Sequence, residues 1–321
     1  GNVYDIDQDG RLSIIISPVY AKIGFAGLFN SIDMTPPDPV KGPPANSNQR
    51  DMIGVWSPGF DSKWQGEYWR AATRETIAHE MQHAINYSAK VYPGGVVKTG
   101  VGNYDSLLED MWLDESLSVG AEARYRIRRG ENSETSSYGG SIVIDSVAND
   151  SRFNEWAKRP WSVKMDSFDY SINAFAYEHY GQKGLFNYYL FERFGASKIR
   201  ELVQTTRTGV DNFNNVFGAG KFAELVKDWR FAALNEGLRT ANAININSVD
   251  NKYRYQEALK LTNAHQAVQY DALFPKEVSV AAGGSAYYVI RQPANTLGSE
   301  YQFTIKSTEG RSVEVHMMRL P

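Results

Sequence analysis

The chain contains no cysteine, and no apolar run in it is long enough to span a membrane. Without cysteine, disulfides, iron–sulfur clusters, thiolate zinc sites and cysteine nucleophiles are all excluded. A membrane-spanning helix needs about 20 consecutive apolar residues. There is also no excess of positive charge, since 34 Lys and Arg stand against 37 Asp and Glu. Nucleic-acid binding, which favours a basic surface, is therefore not expected.

The length and composition suit a folded catalytic or binding domain with a small addition. Of the 321 residues, 42% are hydrophobic and 13% are aromatic, which is ample material for a core. From about Val278 onward, apolar residues alternate with a period of two, at Val278 and Val280, at 301–305 (Tyr, Phe and Ile) and at 313–317 (Val, Val and Met). This pattern is typical of half-buried strands. We therefore predict a main domain at 1–264 and a small β-rich domain at 265–321.

The main domain divides into an N-terminal part with strand patterns and a longer part with helix patterns. Runs rich in β-branched residues at 12–16 and 52–56 predict strands, and the proline-rich segment 36–48 predicts an irregular surface loop. Apolar residues at helical spacing predict helices at 64–87, 105–129, 184–194, 197–204 and 222–238. This order of elements indicates an α+β fold.

The most specific pattern is His-Glu-Met-Gln-His, in which His79 and His83 flank Glu80. Histidines four residues apart on a helix project from one face, so both imidazoles can bind one metal ion. Glu80 then lies beside the metal, where it can act as a general base toward an activated water. The alternative is an ordinary amphipathic helix with two surface histidines. A chance match to this pattern is on the order of one in a hundred, which favours the metal site.

A catalytic zinc site needs a third protein ligand and an open fourth position. Glu115, on the next predicted helix, comes far enough after His83 for a loop and an antiparallel return. Glu122 lies two helical turns further on nearly the same face, where it can accept a hydrogen bond from a ligand histidine. Taken alone, both glutamates would more often be solvated charges. Their position after the histidine helix makes Glu115 the candidate ligand and Glu122 its support.

These two motifs together resemble the gluzincins, and most of all the hyicolysin family of bacterial neutral zinc metallopeptidases. The second motif is Trp-Leu-x-Glu-x-x-Ser-x-x-Ala-Glu at 112–122. Weaker shared segments are Asp-x-Asp-x-Asp-Gly at 5–10, Ala-Gly-Leu-Phe-Asn-Ser-x-Asp at 26–33 and Tyr-Gly-x-x-Gly-Leu-Phe at 180–186. The resemblance covers residues 5–240.

The resemblance implies a zincin-like (thermolysin-like) catalytic domain. In such a domain a twisted N-terminal sheet packs against the His79 helix, and a helical C-terminal subdomain closes the site. It implies one catalytic zinc ion held by His79, His83 and Glu115, and cleavage of protein or peptide substrates. It also implies a secreted or cell-surface bacterial protein, although no export signal is visible in the chain, and we expect a monomer.

Two other functions remain alternatives. An aminopeptidase of similar fold is disfavoured, because the Gly-x-Met-Glu-Asn stretch with which related aminopeptidases hold a free amine does not occur. A surface binding module that keeps a metal site for stability is the second alternative. Such a purely structural site would have no use for Glu80 and would close its fourth position.

Peptide hydrolysis also needs a donor for the negative oxygen that forms in the transition state. In related aminopeptidases this donor is the tyrosine of Tyr-x-Lys-Gly. Here the corresponding stretch has one extra residue between Tyr180 and Lys183-Gly184. Tyr180 is therefore the candidate donor, with Tyr177 and His179 as its rivals.

The N-terminal segment also contains a partial match to a calcium-binding loop. Asp5, Asp7, Asp9 and Gly10 match the first half of an EF-hand loop. The twelfth position is Ile16, however, where such a loop has a bidentate glutamate. Two interpretations stay open, a weak structural Ca²⁺ site and a polar turn before an edge strand.

Overall fold

The computed structural model describes most of the main domain and parts of the tail. The described residues are 2–58, 66–97, 104–129, 135–136, 142–143, 151–160, 162–169, 176–240, 245, 249–256, 268–270, 280, 284–289 and 313–317. Over these residues the protein combines a small sheet with a larger set of helices, as expected for an α+β protein. No described helix is both long and apolar enough to cross a bilayer.

The N-terminal sheet has three strands, in the order β1-β3-β2. They are β1 (Ser13–Ser17), β2 (Gly27–Leu28) and β3 (Met52–Trp56). β1 runs parallel to β3, and β2 runs antiparallel to it. The strands predicted at 12–16 and 52–56 are confirmed, and the segment 36–48 forms turns and one isolated bridge, as a loop should.

Seven α-helices account for most of the described residues. They are α1 (Pro18–Lys22), α2 (Gly66–Val91), α3 (Met111–Arg129), α4 (Ser151–Lys158), α5 (Ala176–Gln204), α6 (Gly209–Phe217) and α7 (Lys221–Thr240). The two helices predicted at 184–194 and 197–204 are both present, as the two segments of α5 that meet at Gly195, where the backbone is not helical (φ 75°, ψ 173°). The helix predicted from 105 begins later, at Met111, after a short 3₁₀ turn at Tyr104–Leu107. The short helices α4 and α6 were not predicted.

The helices pack around a core that is rich in aromatic side chains. Trp112 of α3, Trp156 of α4 and Trp229 of α7 are almost completely buried in it. α2 packs against α3 and α5 on one side and against β2 and β3 on the other. The edge strand β2 comes close to α2 at Gly27, where a Cβ atom would collide with the side chains of Thr76 and Glu80. Helix α2 therefore lies between the sheet and the helical core.

The described part of the tail contains strands, but not all those predicted. In the tail, β6 (Val268–Tyr270) and β7 (Tyr287–Val289) pair in parallel. A second short pair lies in the main domain, where β4 (Thr135–Ser136) runs antiparallel to β5 (Ile142–Val143). Residues 313–317 form no strand and are exposed, so the strand predicted there is wrong. An alternating pattern forms a strand only where a neighbour accepts its backbone hydrogen bonds. The predicted strand at 301–305 and the boundary at 264/265 lie outside the described residues.

Candidate metal centre

Helices α2 and α3 bring the three predicted metal ligands together. His79 and His83 lie one turn apart on α2, with ring centroids 4.8 Å apart. From α3, Glu115 Oε2 is 3.2 Å from His79 Nε2 and 3.8 Å from His83 Nε2. All three residues are buried, or nearly so, and their ligand atoms lie within 4.8 Å of one another. The group could therefore hold a metal ion.

Each imidazole is oriented by an acidic side chain on its other nitrogen. His79 Nδ1 lies 2.6 Å from Glu122 Oε1, as the sequence predicted for Glu122. His83 Nδ1 lies 2.7 Å from Asp114 Oδ2, a contact that the sequence reasoning missed. Such carboxylate partners fix the ring and leave Nε2 available to a metal. Both Nε2 atoms consequently face Glu115.

Both carboxylate partners are themselves held by other side chains. Asn86 donates a 2.6 Å hydrogen bond to the second oxygen of Asp114. Arg152 of α4 donates to both oxygens of Glu122, with distances of 2.6 and 3.3 Å. Arg126 lies 3.7 Å from the same carboxylate. The supporting side chains therefore come from α2, α3 and α4, and the role of Arg152 was not predicted.

The electrostatics of the site favour a bound cation. Burial lowers the pKa of His83, but Asp114 and Glu115 outweigh it and raise this pKa to about 9. Burial also lowers the pKa of His79, but Glu115 and Glu122 outweigh it, so this pKa is raised as well. Burial would raise the pKa of Glu122, yet Arg152 and His79 bring it down to about 2. The carboxylates thus attract positive charge to the two rings, whether as protons or as a metal ion.

Glu80 is buried next to this group but does not belong to it. Its side chain lies between α2 and the edge strand β2, against the backbone of Gly27. Burial raises the pKa of Glu80, although the nearby His79 and His83 and the backbone N–H of Phe29 favour its ionised form. An acid in this position is available for proton transfer rather than for ligation.

Of the three candidate oxyanion donors, Tyr180 lies beside the ligand residues. Its ring centroid is 6.2 Å from that of His79. Burial, followed by the charges of Glu115 and Glu80, raises the pKa of Tyr180, so the phenol keeps its proton. Tyr177 is 63% exposed. His179 is buried against Phe168 instead.

Comparison with known proteins assigns no family to this arrangement. No family model matches the chain, and no curated protein matches it in sequence. The functional argument therefore rests on the residues and their geometry.

Proposed function

We propose that the protein is a zinc-dependent endopeptidase with a zincin-like fold. The observation that carries this proposal is the convergence of two imidazole Nε2 atoms and one carboxylate oxygen, with a second acid, Glu80, beside them. Two histidines and one glutamate form a ligand set of catalytic zinc sites, which keep one position open for water or substrate. The carboxylates bonded to both rings fit the same interpretation.

Zinc held by His79, His83 and Glu115 would supply a Lewis acid that polarises a carbonyl and lowers the pKa of water to about 7. Glu80 takes the proton of the attacking water and delivers it to the nitrogen of the leaving amine. Its position outside the ligand set leaves both carboxylate oxygens free of the metal for this transfer. Burial between α2 and β2 keeps bulk water away from the step.

Tyr180 supplies the second stabilising interaction. Its neutral phenol donates a hydrogen bond to the oxygen that becomes negative when water attacks the carbonyl. The edge strand β2 borders the same site, since Gly27 packs directly on Glu80. A substrate in extended conformation can hydrogen-bond along such an edge through its backbone, which suits binding in the middle of a polypeptide.

The decisive experiment compares the wild type with Glu80→Gln on casein and on a fluorogenic peptide with a blocked N-terminus. We expect one equivalent of zinc in both proteins, by elemental analysis. Hydrolysis should fall by about 10²–10⁴-fold in the variant alone, because only the proton transfer is removed. The matched control is Glu224→Gln, a change at a surface glutamate on α7 that is bonded to Lys221.

Three outcomes would contradict the proposal in different ways. Failure of the metal-free protein to take up zinc would remove the metal site. Zinc binding without cleavage of any peptide would favour the binding module. Cleavage of free but not blocked N-termini would favour the aminopeptidase.

A further inference from the structure

Arg152 of α4 joins the metal centre from a third helix. Its guanidinium donates to both carboxylate oxygens of Glu122, at 2.6 and 3.3 Å, and the side chains of this ion pair are only 17% and 10% exposed. The oxygen that accepts the longer bond also lies 2.6 Å from His79 Nδ1. A chain of three polar side chains therefore runs from α4 to one of the proposed zinc ligands.

A second arginine lies near the same carboxylate but has a closer partner. Arg126 Nη2 is 2.6 Å from Glu75 Oε2 and 3.7 Å from Glu122 Oε2. An arginine that bonds both oxygens of a carboxylate fixes the plane of that group as well as balancing its charge. Of the two arginines, Arg152 is therefore the one placed to orient Glu122.

The backbone of Arg152 is held against α5 beside the proposed oxyanion donor. Gly181, which follows Tyr180, lies so close to α4 that a Cβ atom there would be 2.0 Å from the carbonyl oxygen of Arg152. The same atom would be 3.1 Å from the Cβ of Trp156, whose side chain is buried in the core. Helix α4 thus packs tightly on the helix that carries Tyr180, while its arginine side chain reaches the helix that carries Glu122.

We propose that Arg152 is a positioning residue for the zinc site, because it fixes the ring of His79 through Glu122. Its backbone contact with Gly181 ties that ring to the helix of Tyr180, so the metal ligand and the oxyanion donor keep one arrangement. This role rests on the proposed function, since it concerns the same zinc ligands. Without the guanidinium, the buried carboxylate of Glu122 loses its bidentate partner and the imidazole loses its fixed orientation.

The first test is zinc affinity, measured by competition with a chelator, which requires no peptidase activity. Arg152→Met should bind zinc about 10–100-fold more weakly than the wild type, as expected when the support of a ligand histidine is lost. The removal of a positive charge would by itself favour a bound cation, so a weaker affinity reports orientation rather than charge.

Two further variants show that the effect belongs to the bidentate bond. Arg152→Lys keeps the charge but not the planar fork, so its zinc affinity should lie between those of Arg152→Met and the wild type. The matched control is Lys158→Met, which removes an exposed cation of the same helix that is bonded to Glu155. It should bind zinc as the wild type does.

A double variant shows whether Arg152 acts through Glu122. Glu122→Gln should weaken zinc binding by a similar factor, and the addition of Arg152→Met should cause little further loss, because the two residues belong to one network. The double variant also removes both charges of the buried pair. If Arg152→Met alone does not fold, the comparison of the double variant with Glu122→Gln still measures the dependence.

Cobalt substitution and kinetics test the geometry itself. The visible absorption of Co²⁺ in place of zinc depends on the arrangement of its ligands, and it should change in Arg152→Met but not in Lys158→Met. With zinc saturating, kcat of Arg152→Met should fall about 10–100-fold while KM changes little, because the loss is in the alignment of the reacting groups.

Three results would overturn the positioning role of Arg152. They are unchanged or tighter zinc binding in Arg152→Met, a further loss in the double variant as large as in the single one, and a Co²⁺ spectrum identical to that of the wild type. A wild type that binds zinc but cleaves no peptide would contradict the proposed function alone, since affinity and spectrum still decide the role of Arg152. A wild type that takes up no zinc would overturn both.

Discussion

The two groups of side chains that could hold a metal ion are built from different donors on different kinds of backbone. The helix site combines two imidazoles and one carboxylate, all in the protein interior, whereas the loop site offers only carboxylates, with Asp9 exposed. On the helices the ligand rings are held by further side chains, while on the loop the backbone N–H groups hold Asp5. Donor type and rigidity decide which ion a site prefers. The chemistry proposed above therefore belongs to the helix site alone.

The largest expected effect concerns the helix site. Glu115→Ala removes one of the three proposed zinc ligands, so zinc and peptidase activity should both be lost. A Lewis acid is worth several kcal/mol, or about a thousandfold in rate. Elemental analysis and peptide cleavage check the two parts, and an active Glu115→Ala protein would show that Glu115 is not a ligand.

A smaller loss of rate is expected for the oxyanion donor. Tyr180→Phe should lower kcat by about 10²–10³-fold, because one donor to the negative oxygen is lost. KM and zinc content should change little. The matched control is Tyr177→Phe, three residues away on the same helix and largely exposed, which should keep full activity. A larger loss in the control would transfer the role to Tyr177.

The acidic partner of His83 should affect metal affinity more than rate. Asp114→Asn keeps the shape of the side chain but weakens its bond to the imidazole, so zinc affinity should fall by about 10–100-fold. Competition with a chelator measures this change. Asp211→Asn, at an exposed position on α6, serves as control. Equal affinity in Asp114→Asn and the wild type would mean that Asp114 does not support the site.

The smallest expected effect is on the pH dependence of stability in metal-free protein, and it comes from His179 on α5. Burial, followed by the charge of Lys183, lowers the pKa of His179 from 6.5 to about 4. The unfolded chain therefore binds a proton at this residue between these pH values while the folded chain does not, and stability falls as the pH drops. In His179→Asn the stability should therefore decrease less as the pH drops. Thermal unfolding of metal-free protein from pH 7 to pH 4 checks it, and a parallel decline in both proteins would contradict the burial of a neutral imidazole.

The parts of the fold that could be predicted are those with strong local patterns. β3 and the helix that carries His79 appear where the sequence indicates them, because apolar spacing and β-branched runs act within a few residues. The short helices α4 and α6 escaped prediction, since one or two turns give little periodicity. The strand expected at 313–317 failed for the opposite reason, because its pattern was present but no described strand pairs with it.

The sequence by itself determined the spacing of His79, Glu80 and His83, since helix geometry alone puts residues four apart on one face. It also pointed to Glu115 and Glu122 through a motif on a single helix. Only the tertiary structure decided that Asp114 orients His83 and that Arg152 holds Glu122. These partners lie far apart in the chain, and their meeting depends on how helices and strands pack, which no local spacing encodes.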